Sequence, residues 1–223
     1  MSAKLFLSAI AKFLLGVVLV GALIFLPTGT LCFWQGWMLM GILFIPMFAA
    51  GLVMMAKSPA LLQSRLIAKE SRGKQGTVVK LSGLMFVAAF VLAGLGVRFG
   101  WYVLPPWASI TAAVVFLLGY LMYAEVLREN AYLSRTIQVQ EGQSVISTGL
   151  YGVVRHPMYA ATLLLFLSIP LMLGSLYALA VMAVYPVLIA IRIRDEESLL
   201  EQELDGYREY QRKVRYRLIP FIW

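Results

Sequence analysis

Cysteine, histidine and charge are all scarce in this 223-residue chain. One cysteine, Cys32, and one histidine, His156, leave no intrachain disulfide, no multi-cysteine zinc site and no multi-histidine metal centre. Charged residues are only 13% of the chain against 61% hydrophobic, roughly half the charged share of a soluble domain. That is too little polar surface to face water, so the solvent must be largely lipid. There is no Walker-type loop, no HExxH and no GxSxG. Gly94, Gly96 and Gly100 imitate a dinucleotide fingerprint at the wrong spacing and without a preceding strand, so close helix packing explains them better. Acidic residues are also few, 11 against 19 Lys+Arg for a net charge of +8, a balance that suits the anionic inner face of a membrane.

What the chain has in quantity is long apolar runs. A spanning helix needs about 20 apolar residues to cross roughly 30 Å of hydrocarbon. Four runs meet this, near Leu5–Leu26, Trp34–Ala56, Leu81–Val97 and Trp107–Leu127; Pro27 ends the first and Pro105–Pro106 precede the fourth. Their polarity does not alternate, which excludes barrel strands and predicts an all-α, polytopic membrane bundle. A fifth region, Met158–Ile191, is split by Gly174–Ser175 into two arms of about 25 Å each. It reads as a helical hairpin that crosses fully or re-enters, with Pro170 and Pro186 expected to kink the arms.

Charge placement orients the bundle. With the N-terminus cytoplasmic, every lysine and arginine except Arg98 falls on the inner side, including Lys4, Lys12, Arg128, Arg135 and Arg155. All 11 acidic residues fall there too. This predicts an even number of crossings with both termini cytoplasmic, and a first helix retained as an anchor. The polar stretches that can hold chemistry, Glu129–His156 and Asp195–Trp223, then share the cytoplasmic side.

Two strings in those regions carry chemistry. In Gly149-Leu150-Tyr151-Gly152-Val153-Val154-Arg155-His156-Pro157-Met158-Tyr159, Pro157 marks the first position of a helix and His156 its cap. The positive helix end and Arg155 then favour an anion at the membrane surface; the plainer reading is a snorkelling arginine and a helix cap. In Arg192-Ile193-Arg194-Asp195-Glu196-Glu197, helical spacing lets Arg192 meet Glu196 and Arg194 meet Glu197. Such residues at the lipid boundary imply a polar cavity; otherwise they are a positive-inside stop signal. Tyr207, Tyr210 and Val214 recur at helical spacing, predicting a tail helix with its apolar stripe against the bundle or the headgroups. Basic residues that follow the membrane topology argue against nucleic acid as a partner.

Taken together, Arg128-Glu129-Asn130, the Gly149-Leu150-Tyr151 and Arg155-His156-Pro157-Met158-Tyr159 strings, the Glu196-Glu197 pair and Tyr207-Arg208-Glu209-Tyr210 resemble the isoprenylcysteine carboxyl methyltransferase family. That family includes bacterial and archaeal relatives and related phospholipid methyltransferases. The likeness covers about 119–220, which makes 1–118 the N-terminal helices with their cytoplasmic loop and 119–223 the methyltransferase core. It implies an integral membrane enzyme of a bacterial or archaeal inner membrane. S-adenosylmethionine would be the cofactor, the acceptor a lipid or lipidated small molecule, and no metal would be needed. The implied cofactor positions are Leu150, Tyr151, Arg155, His156, Pro157, Tyr159, Tyr207 and Tyr210. The implied acceptor-side residues are Arg192 with Glu196 or Glu197, and Arg194 stays open as the alternative. A carboxylate acceptor would need an arginine and no base, whereas an amine would need a carboxylate to take its proton. Two rival readings stand beside this one. The C-terminal motifs also resemble membrane sterol reductases, which use a nicotinamide cofactor, and a small scaffold or transporter subunit would need no chemistry.

Overall fold

The computed structural model describes residues 3–66, 73–101, 103–130, 132–133, 139 and 141–223. The helices are α1 (Ala3–Thr28), α2 (Trp34–Lys57), α3 (Pro59–Leu66), α4 (Gly73–Arg98), α5 (Pro106–Glu129), α6 (Pro157–Met172), α7 (Leu176–Met182), α8 (Tyr185–Glu203) and α9 (Tyr207–Lys213). A 3-10 turn spans Gly149–Gly152. There is no strand among the described residues, and the all-α membrane bundle expected from the continuous apolar runs is what forms. Arg135, assigned above to the inner side, lies outside the described residues, as do residues 67–72 between α3 and α4.

Among the described residues, five helical stretches are long and apolar enough to cross a bilayer: Leu5–Thr28, Trp34–Lys57, Gln75–Arg98, Pro106–Glu129 and Leu176–Glu203. Their outward faces carry Leu14, Leu19, Leu26, Trp107, Leu121 and Val187, all exposed. In water such a surface would aggregate, whereas in lipid it is the solvated face. The core lies between the helices, where Leu39, Phe116, Met172, Leu173, Met182 and Ile193 are sealed. The longest contact is α5 along α6. It depends on Gly119, because a Cβ there would stand 3.0 Å from Leu165 Cγ and 3.1 Å from the Leu165 amide nitrogen. Only a bare α-carbon lets the two backbones approach this closely.

Three boundaries differ from the sequence reading. Helix α4 begins at Gly73 rather than near Leu81, so Gln75 and Lys80 are helical rather than loop. The hairpin's first arm is α6, 16 residues or about 24 Å. Its second arm breaks near Ala183–Val184 and then runs on as α8 to Glu203, carrying the Arg192–Glu197 string within a helix. Pro186 occupies the first turn of α8 instead of kinking an arm, the place where its missing N–H costs nothing. The turn between α6 and α7 is a Schellman closure. Gly174 is at φ +71°, its amide donates to Leu171 O at 3.0 Å and the Ser175 amide to Pro170 O at 2.9 Å. The Leu104 amide ties this turn to the end of the α4–α5 loop by donating to Gly174 O at 2.9 Å. The opposite end of the bundle gathers the 3-10 turn, the start of α6, the end of α8, and α9.

Candidate active site at one end of the bundle

The Arg155-His156-Pro157 segment is clamped from two directions. Pro157 opens α6 with His156 at the N-cap. The Arg155 amide donates to Tyr216 O at 2.9 Å and the His156 amide to Arg217 O at 2.8 Å, so the chain beyond α9 is strapped across the segment. The Arg155 guanidinium ties the same strap, with Nη1 donating to Val214 O and Arg215 O, both at 2.8 Å. Its Nε donates to Glu197 Oε1 at 2.6 Å. Glu197 Oε1 also lies 3.2 Å from His156 Nε2, and Oε2 accepts from Arg217 Nε at 2.6 Å. The cation expected at the start of α6 therefore already has an anion, Glu197, inside the protein.

Beside this clamp lies a chamber with about 820 Å³ of space, part of it open to solvent. Its polar wall includes Asn130, Tyr151, Arg155, His156, Tyr159 and Glu196, with Tyr207 and Tyr210 from the tail. Asn130 Nδ2 donates to the Tyr151 hydroxyl at 2.9 Å, and the Tyr210 hydroxyl donates to Tyr151 O at 2.7 Å. The Tyr207 hydroxyl is different. The residue is 4% exposed, yet its oxygen has no hydrogen-bond partner among the described residues. An orphaned buried hydroxyl costs about 1–3 kcal/mol, and on a chamber wall it points to a ligand that would satisfy it. Burial first, then the nearby Glu197 and Glu196 carboxylates, pushes the Tyr207 phenol well above its ordinary range; burial does the same to Tyr210. Both hydroxyls stay protonated donors.

Behind the chamber, Tyr159 links two charged side chains of α8. Its hydroxyl donates to Glu196 Oε2 at 2.6 Å and accepts from Arg192 Nε at 2.9 Å. Arg192 Nη1 donates to Gln75 Oε1 at 3.1 Å, and Gln75 Nε2 donates to Asp195 Oδ2 at 2.7 Å.

Most of the residues named from sequence thus converge. Tyr151, Arg155, His156, Tyr159, Glu196, Tyr207 and Tyr210 share the chamber wall. Arg192 sits one hydrogen bond behind it and Glu197 lies in the clamp. Three stand apart. Pro157 is sealed in the first turn of α6, Leu150 faces an apolar cleft with Met122 and Leu164, and Arg194 is exposed. Sequence reasoning missed Gln75 and Arg217 as partners of this site, and it quoted Asn130 without giving it a role. Asn130 was within reach, since it caps α5 three residues past Leu127, the end of the apolar run. The tail stripe Tyr207, Tyr210 and Val214 packs with Leu204 against Val145 and Leu200, facing the protein.

The fold and this chamber define a polytopic helical membrane protein with a polar chamber at one end of its bundle. Residues 107–205 match the sequence model of the phospholipid methyltransferase family. The fold is similar to that of the eukaryotic intramembrane Ras methyltransferase ICMT, the isoprenylcysteine carboxyl methyltransferase, with a TM-score of 0.60 and 19% identity over 96% of this chain and 77% of that one. These two matches bear out the resemblance read from the motifs. Among curated relatives, the Delta(14)-sterol reductase TM7SF2 of Mus musculus is 32% identical over 91 residues, 40% of this chain and 22% of that protein. The protein YpbQ of Bacillus subtilis is 30% identical over 97 residues, 43% of this chain and 57% of YpbQ. The chain therefore spans well under two thirds of the length of these relatives.

Proposed function

We propose that the protein is an S-adenosylmethionine-dependent methyltransferase that acts on a membrane-partitioned acceptor, either a carboxylate of isoprenylcysteine type or a lipid amine. The observation that carries this reading is the orphaned Tyr207 hydroxyl on the wall of a tyrosine-rich chamber that also holds Glu196. A cofactor with a sulfonium, an ammonium and an adenine suits such a wall. Phenol rings accept cations on their faces, a carboxylate pairs with an ammonium, and a lone phenolic O–H seeks an acceptor atom. Tyr151, Tyr207, Tyr210 and His156 hold this ligand, and Arg155 braces the segment beneath it.

When bound, the cofactor supplies an activated methyl group on sulfur. Methyl transfer of this kind asks the protein mainly for alignment and charge management. Glu196, Tyr159 and Arg192 form the acceptor side. Arg192 orients an acceptor carboxylate by charge-assisted hydrogen bonding, and Glu196 takes the proton released by an amine. The excess of basic residues at the chamber end supports a cytoplasmic position for that end and for both termini.

The test is direct. Purified protein in lipid nanodiscs is titrated with S-adenosylmethionine. It is then incubated with radiolabelled methyl donor and vesicles carrying either a farnesylated N-acetylcysteine or phosphatidylethanolamine. Saturable binding weakened by His156→Ala, with label in one lipid, is the expected result. Base-labile label marks an ester and base-stable label an amine. The sterol reductase similarity favours a second reading, a chamber for a reduced nicotinamide. Saturable NADPH binding with no methyl donor binding would establish that reading and refute the first.

A further inference from the structure

The chain Asp195–Gln75–Arg192–Tyr159–Glu196 ends on the chamber wall and passes through Gln75, which lies outside the 107–205 segment that matches the phospholipid methyltransferase family. Gln75 is its only member on α4, and its side chain is fully buried, at 0% exposure. A buried amide in hydrocarbon is costly unless both its ends are bonded. Here they are bonded in opposite senses: the oxygen faces a guanidinium and the nitrogen a carboxylate.

We infer that Gln75 is a positioning residue for the acceptor side of the site, holding the Arg192 guanidinium so that its Nε meets the Tyr159 hydroxyl. This rests on the methyltransferase reading above. Arginine has several flexible torsions and five donors. On α8, Arg192 lies about one turn from Asp195, and Gln75 bonds both side chains at once. Gln75 donates its own N–H to the Asp195 carboxylate and offers Arg192 a neutral acceptor, keeping the guanidinium aimed at Tyr159. The N-terminal helices are then part of the active site rather than an anchor for it. Leucine in place of Gln75 keeps the bulk and loses both bonds. A glutamate there keeps the acceptor for Arg192 but sets two carboxylates against each other. Asparagine at position 195 then restores the pattern, because its amide N–H donates to the new carboxylate.

The experiment compares wild type, Gln75→Leu, Gln75→Glu and the double variant Gln75→Glu with Asp195→Asn, all as full-length protein in nanodiscs. Two quantities are read: the dissociation constant for S-adenosylmethionine, and kcat for methyl transfer to the two vesicle acceptors. Gln75 is absent from the chamber wall, so cofactor affinity should stay within about 2-fold in every variant. Misalignment should lower kcat by about 10-fold to 100-fold in both single variants, and the double variant should recover most of it. If Gln75→Leu fails to fold, the comparison of Gln75→Glu with the double variant decides. Wild-type kcat in the single variants, a parallel loss of affinity and kcat, or no recovery in the double variant overturns the inference alone. Wild type that transfers methyl to neither acceptor overturns the methyltransferase reading, and this inference falls with it.

Discussion

Arg155 and Glu197 lie 42 residues apart in the chain and meet at 2.6 Å, with side chains only 6% and 4% exposed. Glu197 also accepts from Arg217, whose side chain is 36% exposed. This one carboxylate therefore joins the start of α6, the end of α8 and the strap beyond α9. Removing one partner of a buried pair strands the other charge at about 3–5 kcal/mol, whereas a partly exposed pair is worth about 1 kcal/mol or less. Glu197→Gln should lower the thermal midpoint of the detergent-solubilised protein sharply, and Arg217→Gln only slightly. Equal midpoints for the two variants would show that the clamp does not hold the chamber end together.

Tyr207 separates stability from binding. Its hydroxyl is buried and unpartnered among the described residues, so Tyr207→Phe removes an uncompensated polar group and should leave the ligand-free protein as stable as wild type or up to about 1–3 kcal/mol more so. The same change should weaken S-adenosylmethionine binding by about 10-fold, the worth of one hydrogen bond in a partly desolvated site. Paired melting and titration experiments read both effects. A variant that loses stability but keeps full affinity would place the hydroxyl's partner in the protein rather than in a ligand.

Arg192 and Arg194 are neighbours on α8 with opposite surroundings. Arg192 is buried and bonded to Tyr159 and Gln75, while Arg194 is exposed. A lysine cannot reproduce the fork of a guanidinium. Arg192→Lys should therefore cut methyl transfer by about 100-fold, and Arg194→Ala should leave kcat within about 2-fold. Initial rates at saturating methyl donor settle the register, and the reverse pattern would move the acceptor side to the exposed face of α8.

The spans were legible because hydrocarbon demands continuous apolar runs, and Leu5–Thr28, Trp34–Lys57 and Pro106–Glu129 carry them with little interruption. The start of α4 was not, because Lys74, Gln75 and Lys80 break the apolar pattern although the backbone is already helical. The strings around Arg155 and Glu196 located the site, since polar residues at a lipid boundary need a reason. Their pairing was hidden. Spacing alone joins Arg192 to Glu196, but the Tyr159 hydroxyl from α6 stands between them. Glu197, one residue on, points to a different face and meets Arg155. Such partners are fixed by packing between helices distant in the chain, which local spacing does not encode.

The tail tyrosines give the site a pH signature. Burial pushes both Tyr207 and Tyr210 upward, and the Glu196 and Glu197 carboxylates add to the effect on Tyr207. A phenol in the unfolded chain ionises near pH 10, roughly. Below that value both states hold the proton and these tyrosines make stability neither rise nor fall. Above it the unfolded chain sheds protons that the folded chamber retains, so the folded state loses ground as pH climbs. The thermal midpoint should hence be insensitive to these groups up to about pH 10 and fall beyond it, with a shallower fall in Tyr207→Phe. Methyl donor affinity should show no inflection from them between about pH 7 and 9, because the hydroxyls remain donors throughout. Melting curves and titrations across that range provide the check. An inflection below pH 9 that Tyr207→Phe abolishes would mean the phenol is wetter than its burial implies.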